Sequence, residues 1–314
     1  MTTAVDHAAR LLGDRARRDV PLGPLTTYRV GGSAARFVRL DTDDDLVAVS
    51  RAVAESGVDV LVVGRGSNLL VADEGFEGLA LALGPVAEHL EFDGSCVWVG
   101  AGVALPVLAR RTVAAGLTGM EWAVGVPGTV GGAVRMNAGG HGSDMAACLV
   151  EVEILDLRTG QRAWRSASDL GLRFRGSSLR DHDLVVAARL DLAPGDRTRG
   201  EAELADIVRW RREHQPGGQN AGSVFVNPVP GAVAAGQLID AAGLRGMRHG
   251  TAQVSTKHAN FIQADEGGRA ADVVALMVEV RRRVGEMHGV WLRSEIRLVG
   301  FQAELTELFS ETGA

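Results

Sequence analysis

The first candidate for chemistry is a short glycine loop, VVGRGSNLLV at residues 62–71. The loop follows an apolar, strand-like run and places Gly64 and Gly66 around a tight turn. Because glycine has no Cβ, backbone N–H groups can crowd around an anion there. Ser67 and Asn68 can add side-chain donors. Taken alone, the loop is compatible with a phosphate-binding nest and equally with a plain β-turn.

A second glycine-rich stretch, VGVPGTVGGAVRMNAGGHG, occupies residues 124–142 and holds seven glycines in nineteen positions. Its backbone donors, with Thr129 and Asn137, can wrap a pyrophosphate. It lacks the spacing of a Rossmann fingerprint and has no Gly-Lys-Ser/Thr ending, which argues against a P-loop or a kinase. Two anion-binding loops in one chain indicate a dinucleotide, but this pattern does not say which one.

Strand and helix patterns lead into the first loop. Residues 36–40 are β-prone, and Thr42 with Asp45 predicts a capping box at the start of a helix that Gly57 ends. Residues 58–63 read as a buried strand, so the segment predicts a βαβ unit.

Similar patterns continue to the C-terminus. Residues 95–116 predict a strand and a helix, and residues 148–195 predict paired strands. Helices are expected over 201–213 and 268–288, followed by a closing strand in VWLRSEIRLVGF. These patterns predict an α+β chain with two nucleotide-binding lobes and a C-terminal domain.

Composition and charge limit the classes of function that this chain can have. The 314 residues carry a net charge of -6, which does not favour binding to nucleic acid or to an anionic membrane. Cys96 and Cys148 form neither a zinc motif nor a disulfide framework, so we expect buried thiols and no metal. We expect no signal peptide and no membrane span, and therefore a cytoplasmic protein. Arginines 281–283 are expected on a solvated helix face, whereas Arg211, ahead of a later motif, is a better candidate to meet phosphate.

Five motifs then resemble, in order, those of the bacterial UDP-N-acetylenolpyruvoylglucosamine reductases. The resemblance runs from about residue 21 to residue 301. The motifs are TTYRVGG at 26–32, VVGRGSNLLV at 62–71, VPGTVGGAVRMNAG at 126–139, AGSVFVNP at 221–228 and STKHANFI at 255–262.

The resemblance implies a flavin-binding module of the vanillyl-alcohol-oxidase (PCMH) type, made of two lobes, followed by an α+β substrate domain. The implied boundaries are a helical extension at 1–20, the FAD module at 21–195 with lobes of about 21–80 and 81–195, the substrate domain at 196–301 and a tail at 302–314. The residues implied to hold FAD are Gly64, Arg65, Gly66, Ser67, Asn68, Pro127, Gly128, Thr129, Gly131, Gly132, Asn137 and Gly139. No histidine occurs in the first loop, so we expect non-covalent FAD.

The implied reaction is the NADPH-dependent, FAD-mediated reduction of UDP-N-acetylglucosamine enolpyruvate to UDP-N-acetylmuramate, a step in peptidoglycan precursor synthesis. By resemblance, Ser223 donates the proton, Glu295 is a second acid or enolate-stabilising group, and Arg175 engages the developing charge. The implied substrate-binding residues are Arg211, Asn227, Gln253, Lys257, His258 and Asn260. We expect a monomer that binds this UDP-sugar and neither nucleic acid nor membrane.

Three positions depart from the family pattern. Phe174 and His141 stand where tyrosine is frequent, and Val226 stands where a polar residue is common. These changes affect the expected substrate contacts rather than the flavin chemistry. Two alternatives stay open at this point: a flavin oxidase of the same fold acting on a sugar or alcohol, and a nucleotide-binding paralogue without activity.

Overall fold

The computed structural model describes residues 3–310 of the chain. The helices in this range are α1 (Ala4–Leu12), α2 (Asp43–Ser56), α3 (Leu105–Ala114), α4 (Val130–Met136), α5 (Arg197–His214), α6 (Ala235–Ala241), α7 (Ala270–His288) and α8 (Ala303–Ser310). The strands are β1 (Arg17–Pro21), β2 (Ser33–Leu40), β3 (Val60–Val63), β4 (Leu69–Val71), β5 (Phe76–Leu83), β6 (Leu90–Asp93), β7 (Cys96–Gly100), β8 (Leu117–Thr118), β9 (Gly139–Gly140), β10 (Ser143–Asp144), β11 (Leu149–Asp156), β12 (Arg162–Ser166), β13 (Asp183–Asp191), β14 (Ala193–Pro194), β15 (Arg248–His249), β16 (Ala252–Val254), β17 (Ile262–Ala264) and β18 (Arg297–Val299).

Contacts divide the described chain into two units. The first unit contains residues 3–19, Ala35–Arg65 and Glu77–Arg211. The second contains Val20–Ala34, Gly66–Phe76 and residues 212–310. The boundary between the units falls inside the first glycine loop, after Arg65. Among residues 3–310, no helix is long and apolar enough to cross a bilayer.

The first unit begins with a four-stranded sheet in the order β1-β2-β5-β3. The predicted strand, helix and strand are present as β2, α2 and β3, but β5 lies between the two strands and pairs in parallel with β3. Thr42 and Asp45 form the predicted capping box, and Gly57 ends α2 in a left-handed conformation. Leu46, Val49 and Val53 on α2 are buried in the apolar core of this lobe.

A second sheet completes the first unit, with five strands in the order β12-β11-β13-β7-β6. All of its neighbouring strands pair antiparallel. The prediction of paired strands within 148–195 is confirmed by β11, β12 and β13. Helix α3 packs its buried residues Leu105, Leu108 and Val113 into the core of this lobe. The second glycine-rich stretch follows α3 in the chain.

The second unit is built on the three-stranded sheet β15-β16-β17 and the long helix α7. A core of buried apolar side chains joins them and includes Tyr28 from the TTYRVGG motif. Strands β4 and β18 pair in parallel, so the residues just after the first glycine loop run beside the C-terminal segment.

Two expectations about the C-terminal region were wrong. Only Arg297–Val299 of the expected closing strand is a strand, and it pairs in parallel with β4. Arg281 is buried rather than solvated, because its Nε donates to the carbonyl oxygen of Leu292 at 3.1 Å and its guanidinium lies 5.0 Å from the Trp291 ring centre. Of the thiols, Cys148 is buried, whereas Cys96 is half-buried.

The capping box of α2 gives a stability prediction. Thr42→Ala removes the hydroxyl that accepts the Asp45 N–H, which should lower the free energy of unfolding by about 1 kcal/mol. Val47→Ala on the same helix is the control, because Val47 is 68% exposed and its change should stay within about 0.5 kcal/mol. Urea unfolding of the two variants measures the difference, and equal losses would show that the cap contributes nothing specific.

Candidate functional site

The first glycine loop leaves its backbone donors available. Within residues 3–310, the N–H groups of Gly64–Asn68 donate to no backbone oxygen. Gly66 has a φ of 57°, and a Cβ at this position would clash with the carbonyl oxygen of Leu25. Only glycine fits both restraints. The loop therefore offers a run of unpaired N–H groups, the arrangement that binds anions.

Gly64 lies against the second glycine-rich stretch within the first unit. A Cβ on Gly64 would lie 2.7 Å from the Thr129 hydroxyl oxygen, so the two loops touch where Gly64 has no side chain. Thr129 is fixed in turn, because its hydroxyl accepts the Gly132 N–H at the start of α4. The structure thus brings Gly64 and Thr129 together, as a shared anion site requires.

Asn137 connects the second loop to the turn that carries Arg175. It is buried and left-handed (φ 39°), and its amide nitrogen lies 3.1 Å from Asp144 and 3.2 Å from the carbonyl oxygen of Arg173. Its amide oxygen accepts the Ala146 N–H at 2.9 Å. The side chain of Asn137 therefore holds the surrounding loop backbone in place.

Arg175 occupies the tip of a tight turn. Arg173 and Gly176 exchange backbone hydrogen bonds across the turn, and Arg175 has a φ of 57°, a region that side chains seldom adopt. One guanidinium nitrogen donates to the carbonyl oxygen of Gly139 at 3.0 Å, and Phe174 lies under the guanidinium at 4.8 Å. The second glycine loop and a strained turn therefore hold Arg175 in place.

Arg211 is a further predicted cation of the first unit, beside Arg65 and Arg175. Its aliphatic stem passes over Gly125, where a Cβ would lie 2.6 Å from its Cδ. Burial lowers the pKa of the Arg211 guanidinium, which nevertheless stays charged. His141 contacts Trp210 edge-to-face at 5.1 Å, and burial together with the charge of Arg211 lowers the pKa of His141. A mostly neutral imidazole thus replaces the frequent tyrosine.

The remaining predicted residues lie in the second unit. Asn68 ties the end of the first loop to the Glu295 segment, because its amide donates to the carbonyl oxygen of Glu295 at 3.1 Å. The N–H of Arg297 donates back to the carbonyl oxygen of Asn68 at 2.9 Å. One N–H of the Asn68 amide is thus engaged by the protein.

Ser223 and Glu295 belong to adjacent backbone segments. The N–H of Glu295 donates to the carbonyl oxygen of Val224 at 2.7 Å, and the N–H of Val226 donates to that of Arg293 at 2.9 Å. This pairing holds Ser223 and Glu295 within one residue of each other in register. Within the described chain, the Ser223 hydroxyl has no hydrogen-bond partner, so it is available to a ligand.

A cavity of about 300 Å³ opens beside Ser223. The predicted residues that line it are Ser223, Asn227, Lys257, His258 and Asn260. Gln253 is absent from the lining, since its amide nitrogen donates to the carbonyl oxygen of Gly246 and its oxygen accepts from Arg248. The structure therefore gathers five of the seven catalytic and substrate-binding residues predicted in this unit from two motifs, AGSVFVNP and STKHANFI, whereas Gln253 and Glu295 do not line the cavity.

Three lining residues were missed by sequence reasoning: Gln237, Asp240 and Arg245. Arg245 pairs with Asp240 and donates to the carbonyl oxygen of Thr256 at 3.2 Å. Gln237 lies on α6, and Asp240 and Arg245 lie in IDAAGLRG at the end of that helix. No recognisable motif marks this segment, so the only signal in the sequence was its polar residues.

The cavity is lined by two cations, Lys257 and Arg245, by the carboxylate of Asp240 and by neutral polar and small apolar residues. Lys257 donates to the carbonyl oxygen of Arg212, and the His258 Nδ1 accepts the Asn260 N–H at 3.2 Å. This bond places the His258 proton on Nε2. Burial, with a further contribution from Arg245, lowers the pKa of His258, so its ring is a neutral donor near pH 7. Such a lining suits a phosphate-bearing ligand.

Taken together, the loop residues fit a flavin dinucleotide. The unpaired N–H groups of Gly64–Asn68 suit a pyrophosphate, and no carboxylate occurs in that loop to repel it. The space beside Thr129 stays open only because residue 64 is glycine.

Comparisons with known proteins agree with this geometry. Residues 34–164 match the model of an FAD binding domain, and residues 214–299 match the C-terminal domain of UDP-N-acetylenolpyruvoylglucosamine reductase. The reductase of Heliobacterium modesticaldum is 42% identical over 89% of this chain and 89% of its own length. The reductase of Halalkalibacterium halodurans is 37% identical over 96% and 99%. The crystal structure of the Thermus caldophilus reductase superposes with a TM-score of 0.79, at 36% identity, over 91% of this chain and 99% of that one.

Fold and site together define an FAD-dependent oxidoreductase with a PCMH-type flavin module and a C-terminal α+β domain. The predicted fold class is therefore confirmed. The chain belongs to the UDP-N-acetylenolpyruvoylglucosamine reductase family.

The contact between the two glycine loops gives the second prediction. Gly64→Ala places a methyl group 2.7 Å from the Thr129 hydroxyl, so the loops must separate and FAD affinity should fall by about tenfold or more. FAD content and the dissociation constant from flavin fluorescence measure this loss. Gly217→Ala is the matched control, because a Cβ there meets nothing within 4 Å. Equal FAD affinity in both variants would show that this contact does not shape the flavin site.

Proposed function

We propose that the chain reduces UDP-N-acetylglucosamine enolpyruvate to UDP-N-acetylmuramate, with NADPH as reductant and non-covalent FAD as carrier. The observation that carries the proposal is the position of Ser223. Its hydroxyl lines a polar cavity, has no partner within residues 3–310, and is held in register with Glu295. The family membership supplies the reaction, since the relatives are named for it.

The chemistry requires a hydride, a proton and a site for transient negative charge. When bound, FAD supplies the hydride that originates from NADPH. As that hydride adds to the terminal vinyl carbon, negative charge moves onto the neighbouring carbon and its carboxylate, as an enolate. We propose that Arg175, a permanent cation fixed by Gly139 and its own turn, stabilises this charge.

The enolate carbon must then take a proton. We propose that Ser223 donates it from Oγ and regains one from solvent, which conserves the proton count. A hydroxyl is a weak acid, so the transfer depends on a basic enolate carbon and a fixed distance. Glu295, held beside Val224 by its own N–H, is proposed to stabilise the enolate or act as a second acid.

Substrate binding is assigned by the chemistry of the cavity. Lys257 supplies a positive charge, His258 a neutral N–H and Asn227 an amide whose oxygen already accepts the Ala235 N–H at 3.1 Å. We propose that these groups hold the diphosphate and sugar. Arg211 in the first unit is proposed to bind phosphate, and Gln253, whose side chain is engaged by Gly246, to act through the surrounding backbone.

The wider assignments are proposals on the same basis. We propose that residues 21–195 hold FAD, that 196–301 bind substrate and that 1–20 and 302–314 are terminal extensions. Neither His nor Cys occurs among residues 64–68, which supports dissociable FAD. We further propose a cytoplasmic monomer with a nucleotide-sugar substrate and no nucleic-acid partner, consistent with the net charge of -6.

The role of Ser223 gives the third prediction. Ser223→Ala should leave the reduction of FAD by NADPH intact, because the hydroxyl takes no part in that step. Reoxidation of the reduced flavin by the enolpyruvyl nucleotide should slow by roughly 10²- to 10⁴-fold. Stopped-flow absorbance at the flavin band measures both half-reactions.

Ser310→Ala on α8 is the control for that experiment and should leave both rates unchanged, since its hydroxyl donates to the carbonyl oxygen of Glu307 in its own helix. A parallel loss of both half-reactions in Ser223→Ala would instead assign this serine a structural role.

A further inference from the structure

Asn260 is a buried polar residue whose side chain bonds to backbone. It is 3% exposed, and its amide nitrogen donates to the carbonyl oxygen of Phe225 at 2.8 Å. Its amide oxygen accepts the N–H of the same residue at 3.0 Å. The carbonyl oxygen of Asn260 also accepts the Val224 N–H at 2.8 Å. Three hydrogen bonds thus join one residue to two consecutive residues after Ser223.

The Asn260 amide thus donates to and accepts from Phe225, as a peptide group of a neighbouring β-strand would. A primary amide has one acceptor oxygen and two N–H groups, and Phe225 engages the oxygen and one of the N–H groups. Because donor and acceptor are both matched, the orientation of the amide is fixed by the backbone and not by a ligand. A buried amide without such partners would destabilise the fold.

The opposite edge of the same segment is also paired. Val226 donates to Arg293 and Glu295 donates to Val224, as described above. The Phe225 side chain is 1% exposed and contacts Phe309 at 6.3 Å between ring centres. Hydrogen bonds therefore hold the backbone after Ser223 along both of its edges. Along one of these edges, the bonds to Phe225 come from the side chain of Asn260.

We propose that Asn260 is a positioning residue, which fixes the Val224–Phe225 backbone and thereby the Ser223 hydroxyl, and not a residue that binds substrate through its amide. The inference rests on the proposed function, since it concerns the residue that delivers the proton. It replaces the substrate-binding role that the family resemblance implied for Asn260.

The replacement of Asn260 by aspartate offers a signature that a substrate contact would not produce. A neutral carboxyl can donate its O–H to the Phe225 carbonyl oxygen and accept the Phe225 N–H, as the amide does. An ionised carboxylate cannot donate, and it would face that carbonyl oxygen with a negative charge. Burial favours the neutral form, so Asn260→Asp should work at low pH and fail as the pH rises.

Other titrating groups must be separated from this effect. Those nearest to position 260 line the same cavity or lie across the Val224 segment: Asp240, Arg245, Lys257, His258, Arg293 and Glu295. All of them are present in the wild type. The ratio of the Asn260→Asp rate to the wild-type rate therefore isolates the introduced carboxyl.

The test measures reoxidation of the reduced holoenzyme by saturating enolpyruvyl nucleotide between about pH 5.5 and 9, a range set by enzyme stability and the expected carboxyl titration. For Asn260→Asp we expect the rate ratio to fall as the pH rises, on the order of 100-fold overall, with the substrate dissociation constant little changed. Asn260→Leu, which removes the bonds at every pH, should be slow throughout. Should Asn260→Leu fail to fold, the pH series of Asn260→Asp carries the test.

A second measurement does not depend on activity. Hydrogen exchange of the Val224 and Phe225 amides should be faster in Asn260→Leu, or in Asn260→Asp at high pH, than in the wild type, whereas α7 amides should be unchanged. A wild-type reoxidation rate with a dissociation constant weakened tenfold or more would overturn the inference and return Asn260 to substrate binding. Unchanged exchange would overturn it as well. If the nucleotide does not reoxidise the reduced wild-type enzyme, the proposed function is wrong. The exchange result would still decide the role of Asn260 in that case.

Discussion

The backbone of residues 224–226, directly after Ser223, is hydrogen-bonded along both of its edges, and the proposed proton transfer depends on this restraint. One edge is paired with Asn260 and the other with residues 293–295. A serine hydroxyl is a poor acid, so it can protonate a carbon only where distance and angle are held closely. The chain meets this requirement with backbone bonds at Val224 and Val226 and with the buried amide of Asn260 at Phe225. Ser223 itself keeps a hydroxyl that no described residue engages, which leaves it available for the reaction.

In the first unit, a close contact between the two glycine loops shapes the proposed FAD site. Gly64 and Thr129 approach so closely that any side chain on residue 64 would displace the Thr129 hydroxyl. The same stretch holds Arg175 through Gly139 and steadies its turn through Asn137. The loop proposed to hold FAD is thus also the support of the arginine proposed to stabilise the enolate. A substitution in this loop should therefore also shift Arg175, because a short series of backbone contacts connects the two.

Much of this arrangement could be predicted from the sequence because it depends on local signals. The glycine loops were visible because close backbone approach needs residues without Cβ, and the capping box of α2 was visible because it lies within four residues. The motif resemblance then named the reaction, and the comparisons confirmed the family and the flavin module. The open alternatives, a sugar or alcohol oxidase and a silent paralogue, receive no support from relatives that share about 40% of their residues over most of the chain.

What the sequence could not reveal depends on partners far apart in the chain. Arg281 looked like a solvated helix residue, yet its partners, Leu292 and Trp291, lie beyond the end of its helix. The segment around Glu295 alternates like a strand, but most of it pairs through isolated bonds with residues 224–226. Asn260 stood in a motif and was read as a substrate contact, whereas its amide is engaged by Phe225, 35 positions earlier. Asp240 and Arg245 belonged to no motif at all.

The most direct test of the account is an anaerobic titration of the purified enzyme. FAD in the wild type is first reduced with one equivalent of NADPH, and UDP-N-acetylglucosamine enolpyruvate is then added while the flavin absorbance is followed. The account predicts that the oxidised spectrum returns in proportion to the nucleotide added, with UDP-N-acetylmuramate as product. A flavin that stays reduced until oxygen is admitted would contradict it and would assign the chain to an oxidase reaction.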